Sequence, residues 1–93
     1  MIWNVYILRC ADGTLYTGIT NNLNRRVARH NQGNASKYTR TRRPVCLIYV
    51  ELQPDRTAAA RREIEIKSWP RARKEAFLCN SKKLSSPALK KGD

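Results

Sequence analysis

Hydrophobic and polar positions divide the chain into short blocks. Residues 3–10, WNVYILRC, are dense in β-branched and aromatic side chains and run into ADG, a turn signal, after which TLYTG returns at 14–18. That pattern predicts a β-hairpin. Thr20 or Asn21 can cap the helix that follows, in which Leu23 and Val27 lie one turn apart and which ends near His30. NQGNASKYTRTRRP, residues 31–44, is polar, glycine-containing and basic, and is expected to be a surface loop. VCLIYVEL, residues 45–52, predicts a third strand. QPD breaks it, and Asp55, with Thr57 in competition, caps a helix over Arg56–Lys67. SWP is another break, with Ser68 as the cap and Pro70 in the first turn of a helix carrying RARKEAFLC.

The order β-β-α-β-α-α implies an α/β domain: a small three-stranded antiparallel sheet flanked by helices, each element burying one apolar face. Residues 1–80 are expected to form it. The segment 81–93, SKKLSSPALKKGD, is expected to be a basic tail with too little apolar content to hold itself down.

Charge changes the picture most. Nineteen Lys and Arg against seven Asp and Glu give a formal net charge of +12. No acid lies between Asp12 and Glu51, whereas Arg25, Arg26, Arg29, Lys37, Arg40, Arg42 and Arg43 all fall there. Self-repulsion of this size opposes folding unless a polyanion is at hand, so nucleic acid is the leading partner, with an anionic membrane, an acidic protein or simply a basic solvated surface as the other choices. Those basic side chains would hold a backbone without reading its sequence, and RNA is as good a match for them as DNA. No stretch approaches the ~20 apolar residues of a membrane helix, and the N-terminus lacks the pattern of a signal peptide. Three cysteines without a CxxC pair suggest neither a disulfide framework nor a zinc site and suit a reducing cytoplasm. Cys10 and Cys46 sit in apolar runs and are expected to be buried.

Candidate chemistry gathers on two helices and the hairpin. Asn22, Arg26 and His30 are spaced four apart and share a stripe beside the Leu23–Val27 seam, which would aim Arg26 while Arg25 and Arg29 face solvent. A guanidinium so held suits a phosphate. His30, the sole histidine, can exchange a proton near neutrality, or it can simply be a solvated or capping residue at a helix end. Glu63 lies at the edge of an apolar face, where a carboxylate needs a partner: either a magnesium-type ion, or a salt bridge to Lys67 or an arginine of the first helix. Tyr6 and Tyr16 are packing residues or, with positive charge near them, members of a site. A three-residue loop, Ala11-Asp12-Gly13 with Gly13 left-handed, would pair Leu8 with Tyr16 and put both tyrosines on one face, as would an equivalent one-residue irregularity in the ladder. A two-residue turn would put them on opposite faces.

VYIL, then YTGIT after the hairpin, then Arg26, His30 and Glu63, together resemble the GIY-YIG endonuclease family, with VYI where GIY is usual and YTG for YIG. The resemblance covers residues 2 to about 80 and is greatest to the small single-domain bacterial members. It implies a DNA endonuclease that hydrolyses a phosphodiester with one Mg²⁺ or Mn²⁺ on a three-stranded antiparallel sheet. It also implies Tyr6 and Tyr16 as the two motif tyrosines, Arg26 as the arginine of the first helix, His30 at a histidine-or-tyrosine position, Glu63 as the metal ligand, and Asn80 as a match to a late asparagine. Members acting in repair and restriction often have lysine just after the second motif's glycine; Ile19 stands there here. Besides a structure-selective or nonspecific nuclease, the residues admit a nucleic-acid-binding module with weak or no catalysis. They also admit a protein-interaction domain built on Trp3 or Trp69.

Overall fold

The three β-rich runs pair into one antiparallel sheet in this computed structural model, which describes residues 2–80. β1 (Trp3–Arg9) lies between β2 (Leu15–Thr20) and β3 (Cys46–Gln53). α1 (Leu23–Gln32) follows β2, and α3 (Arg56–Lys67) and α4 (Arg71–Asn80) follow β3. A four-residue helix, α2 (Lys37–Arg40), interrupts the expected loop. The basic segment 81–93 lies outside the described residues.

β1 is apolar without alternation because both of its faces are covered. Val5 and Ile7 pack with Tyr49, Ala59, Ile66 and Trp69 on the face that α3 occupies. Tyr6, Leu8 and Cys10 pack with Val45 on the other face, against Tyr16 and the Leu23–Val27 seam of α1.

The hairpin takes the three-residue form. Cys10 N–H donates to the Thr14 carbonyl (2.8 Å) and Gly13 N–H to the Cys10 carbonyl (2.9 Å), with Gly13 at φ +86°. The Thr14 hydroxyl and amide both donate to Asp12 (2.6 and 3.0 Å), and those bonds hold the Asp12 carboxyl below its usual range. Leu8 therefore pairs with Tyr16 and Tyr6 with Gly18, so the two tyrosines share a face. On its other side β1 meets β3 through a bulge: Ile7 opposes Tyr49 and Leu8 opposes Leu47, leaving Ile48 as the extra residue.

Gly18 is where the sheet and the tyrosines meet. A Cβ placed there would lie 2.5 Å from the Tyr6 hydroxyl oxygen and 3.1 Å from the Tyr16 ring. The Tyr6 ring is wholly buried and has nowhere to retreat. Gly18→Ala is expected to destabilise the fold by about 1–3 kcal/mol, the range for an overpacked core. A thermal melt beside the unaltered chain measures it.

Several local expectations are corrected. α1 is capped by Asn22, whose Oδ1 accepts from Arg25 N–H (3.2 Å), not by Thr20 or Asn21. Thr20 still belongs to β2, and its hydroxyl instead accepts from Asn22 N–H (3.0 Å). Ser68 closes α3 rather than opening α4, donating its hydroxyl to the Glu65 carbonyl (2.6 Å). Pro70 stands just ahead of α4, and its carbonyl accepts from Lys74 N–H (3.1 Å). Cys10 is buried as expected, but Cys46, the first residue of β3, is exposed. Trp69 belongs to the core, which removes it from any interaction patch.

Candidate active site

The hairpin, α1 and α3 bring Tyr6, Tyr16, Arg26, His30 and Glu63 to one region. The rings of Tyr6, Tyr16 and His30 touch edge to face or tilted, with centroids 5.0–6.4 Å apart. His30 Nε2 lies 2.9 Å from the Tyr6 hydroxyl and Nδ1 lies 2.8 Å from Thr39 Oγ1. Arg26, exposed on α1 like Arg25 and Arg29, brings its positive charge close enough to act on the same Tyr6 hydroxyl. His30 thus bridges Tyr6 and Thr39, and a neutral imidazole donates from one ring nitrogen and accepts at the other. Among the described residues no buried side-chain polar atom lacks a partner.

His30 is therefore neither a solvated helix end nor a cap. It is 1% exposed, and Gly33, left-handed at φ +85°, ends α1 three residues later. Burial first, and the Arg26 charge second, push its imidazole down to about 4, so it is neutral at pH 7. Burial also raises the Tyr6 phenol well above its ordinary value, the Tyr16 and Glu63 charges add to that, and Arg26 opposes it. α2 positions the far end of this chain of bonds: Ser36 caps it, accepting from Thr39 N–H (3.1 Å), and its hydroxyl lies 3.1 Å from Thr39 Oγ1.

Glu63 reaches the cluster from α3. Its carboxylate is 3.1 Å from Lys67 Nζ, one turn on, and Lys67 in turn lies 5.8 Å from the centre of the Tyr16 ring. The salt bridge to Lys67 is thus formed. No group of three or more His, Cys, Asp or Glu that could hold a metal occurs among the described residues. The donor set does not fit a metal caged by protein. Glu63 offers a single carboxylate, so an ion held here would have to be a hard one that takes one protein ligand.

Ile19, at the position where the resemblance led us to look for a lysine, pairs with Val5 and packs into the core on the α3 side. Its side chain points away from the face of Tyr6 and Tyr16. Positive charge at the cluster comes from Arg26 and Lys67 instead. Asn80 closes α4 on the surface, and no contact among the described residues joins it to the cluster.

The basic residues of the middle segment fall into two groups. Arg25, Lys37 and Arg40 are exposed and carry no ion pair among the described residues. Arg29 is exposed too, with one long bond (3.5 Å) to the Asn34 carbonyl. Arg42 and Arg43 are largely spent on structure. Arg42 pairs with Asp12 (3.1 Å), donates to the Tyr38 carbonyl (2.8 Å) and lies 4.0 Å over the Tyr38 ring. Arg43 donates to the Arg40 and Asn31 carbonyls and lies against Gly33. Sequence reasoning missed Thr39, Tyr38 and Lys74. Tyr38 stacks on Tyr16 with centroids 6.0 Å apart. Four-residue α2 has no hydrophobic period to announce it; Ser36, a good N-cap residue, was its one signal.

An antiparallel sheet with a paired-tyrosine hairpin, an arginine–histidine helix and a glutamate helix defines a class. Residues 2–76 match the model of the GIY-YIG catalytic domain, and the chain belongs to that family. Among its relatives are the UPF0213 proteins. One from Desulfotalea psychrophila is 50% identical over 82 residues, which is 87% of this chain and 74% of that protein. One from Natronomonas pharaonis is 53% identical over 76 residues, 82% of this chain and 89% of that protein. These relatives span bacteria and archaea, a wider range than the bacterial type expected. The solution NMR structure of a UPF0213 protein from Bacillus halodurans is similar at a TM-score of 0.58 and 36% identity, over 92% of this chain and 96% of that one. No helix among the described residues is long and apolar enough to cross a membrane.

Proposed function

We propose that the chain binds nucleic acid by its phosphodiester backbone and hydrolyses DNA there as a one-metal endonuclease. The convergence of Tyr6, Tyr16, Arg26, His30 and Glu63 from three elements carries this reading. Arg26 stabilises charge developing on the phosphoryl group. Tyr16, at the open edge of the cluster, orients the phosphate. Tyr6 takes a proton from the attacking water as it passes its own to the neutral Nε2 of His30, and Thr39 holds the ring for that transfer. Glu63 would hold Mg²⁺ or Mn²⁺, which when bound supplies positive charge at a non-bridging oxygen. Arg25, Arg29, Lys37 and Arg40 hold the backbone away from the cut, and Arg42 and Arg43 shape the loop that presents them. A cytoplasmic setting fits a chain with three free cysteines.

A second reading, a nucleic-acid-binding module with weak or no turnover, has its own observation. Tyr6 and His30 are both buried and bonded to each other, and Glu63 is already paired with Lys67. Both readings expect salt-sensitive binding. With about four phosphates neutralised, log K should fall against log salt with a slope of roughly −3 to −4, as fluorescence anisotropy on a labelled oligonucleotide in EDTA would record. The two readings part when Mg²⁺ or Mn²⁺ is added. A nuclease converts supercoiled plasmid to nicked circle and EDTA stops it, whereas a binding module shifts the DNA on a gel and leaves it whole. Absence of salt-sensitive binding would defeat both.

A further inference from the structure

Beside Tyr16, at the free edge of β2, lies an open cleft of about 330 Å³ lined by Leu15, Tyr16, Thr17, Tyr38, Lys67 and Lys74. It belongs to none of the basic residues of the middle segment. Its cations come from α3 and α4, and no acid lines it. The nearby Glu75 is taken up by Arg9 (3.1 Å) and Arg71 (2.9 Å). Lys74 has no ion-pair partner among the described residues. Lys67 lines the cleft and also holds Glu63, so one ammonium faces two places at once.

We propose that this cleft takes a backbone phosphate of the bound nucleic acid, and that taking it draws Lys67 off Glu63 and frees the carboxylate for the divalent ion. The inference rests on the hydrolytic reading above. The physical reason is a comparison of partners. The Lys67–Glu63 pair joins residues four apart on a helix, and the Lys67 side chain is 49% exposed; such pairs are weakly held. A phosphate offers stronger acceptor oxygens, and Lys74 already waits across the cleft. The flexible stem of Lys67 lets its charge swing from one anion to the other without moving α3. Without nucleic acid, Lys67 competes with the metal for Glu63. With nucleic acid bound, it does not.

Single substitutions test this because they should move two ligands in opposite directions. The probes are Mn²⁺ alone, followed by the electron paramagnetic resonance of the free ion, and labelled oligothymidylate in EDTA, followed by anisotropy. Lys67→Met should tighten Mn²⁺ by about fivefold or more, since it removes a cation beside the ion, and should weaken the oligonucleotide by about three- to tenfold at low salt. Lys74→Met should weaken the oligonucleotide similarly and leave Mn²⁺ unchanged. A chain that failed to fold would lose both ligands rather than trade one for the other. Unchanged or weaker Mn²⁺ binding in Lys67→Met overturns the proposal, as does equal tightening in Lys74→Met, which would mark a general charge effect. So does an oligonucleotide affinity indifferent to both. Glu63→Gln separates the levels: if it keeps Mn²⁺, the assignment of the ion to Glu63 fails, and this inference with it.

Discussion

Replacing Arg26 by alanine is expected to lower turnover on DNA by about 10²–10³-fold, the loss that follows removal of one preorganised donor to a developing oxyanion. Binding in EDTA should fall far less, because Arg26 is one cation among many on a chain of net charge +12. The separation arises from position. Arg26 stands one turn before His30 on α1, beside the buried Tyr6 hydroxyl, and the Leu23–Val27 seam fixes the face on which it emerges. Arg26→Lys keeps the charge but loses the planar fork, so its turnover should stay well below that of the unaltered chain. Equal losses of binding and turnover in Arg26→Ala would make Arg26 an affinity residue only. Steady-state cleavage and anisotropy on the same preparations give both quantities.

The second large effect concerns His30 and acid. Its imidazole is held down at about 4 in the folded chain against an ordinary value near 6.5, by burial first and by Arg26 second. A group lowered in this way is neutral in the folded state, while the unfolded chain binds the extra proton between those two values. Stability is therefore fully present above pH 6.5 and is lost as pH falls from 6.5 towards 4. The loss should approach about 3 kcal/mol by pH 4. His30→Ala should cost roughly 2–4 kcal/mol at pH 7, from the cavity and from the buried Tyr6 hydroxyl that loses its partner, while Thr39 keeps Ser36. It should also flatten the stability profile between pH 6.5 and 4. Urea unfolding at a series of pH values, for both chains, measures these effects. An unaltered chain as stable at pH 4.5 as at pH 7 would contradict the buried, neutral imidazole.

Much of this arrangement was legible in the residues, for physical reasons that differ from place to place. α3 runs over the span that Asp55 and Lys67 bracket, because a cap after a proline break leaves little choice of start. The hairpin was legible once the resemblance required Tyr6 and Tyr16 to share a face, because a plain two-residue turn cannot do that and Gly13 can adopt the left-handed turn that a three-residue loop needs. Local capping was less secure. Thr20, Asn21 and Asn22 are all good caps, and the sheet decided among them by extending β2 through Thr20. α2 escaped notice because four residues carry no period.

The site was legible in part. Spacing placed Arg26 and His30 on one stripe, and put Lys67 within reach of Glu63. That His30 is buried between Tyr6 and Thr39 depends on contacts 24 and 9 residues apart in the chain, which no local pattern encodes. The cleft of Lys67 and Lys74 depends on how α4 returns past the edge of β2, and is equally invisible to periodicity. The Ile19 position shows the reverse case. In the sequence it reads as a missing lysine beside the tyrosines, yet strand alternation turns it into the opposite core.

The central claim is that the converged cluster hydrolyses a phosphodiester with an ion on Glu63. Its most direct measurement is nicking of supercoiled plasmid by the unaltered chain and by Glu63→Gln, each with Mg²⁺, with Mn²⁺ and with EDTA. Metal-dependent nicking by the unaltered chain, lost in Glu63→Gln while DNA binding persists, is the predicted result. Tight binding by both chains with the plasmid left supercoiled under every metal, or nicking that survives Glu63→Gln, would contradict it.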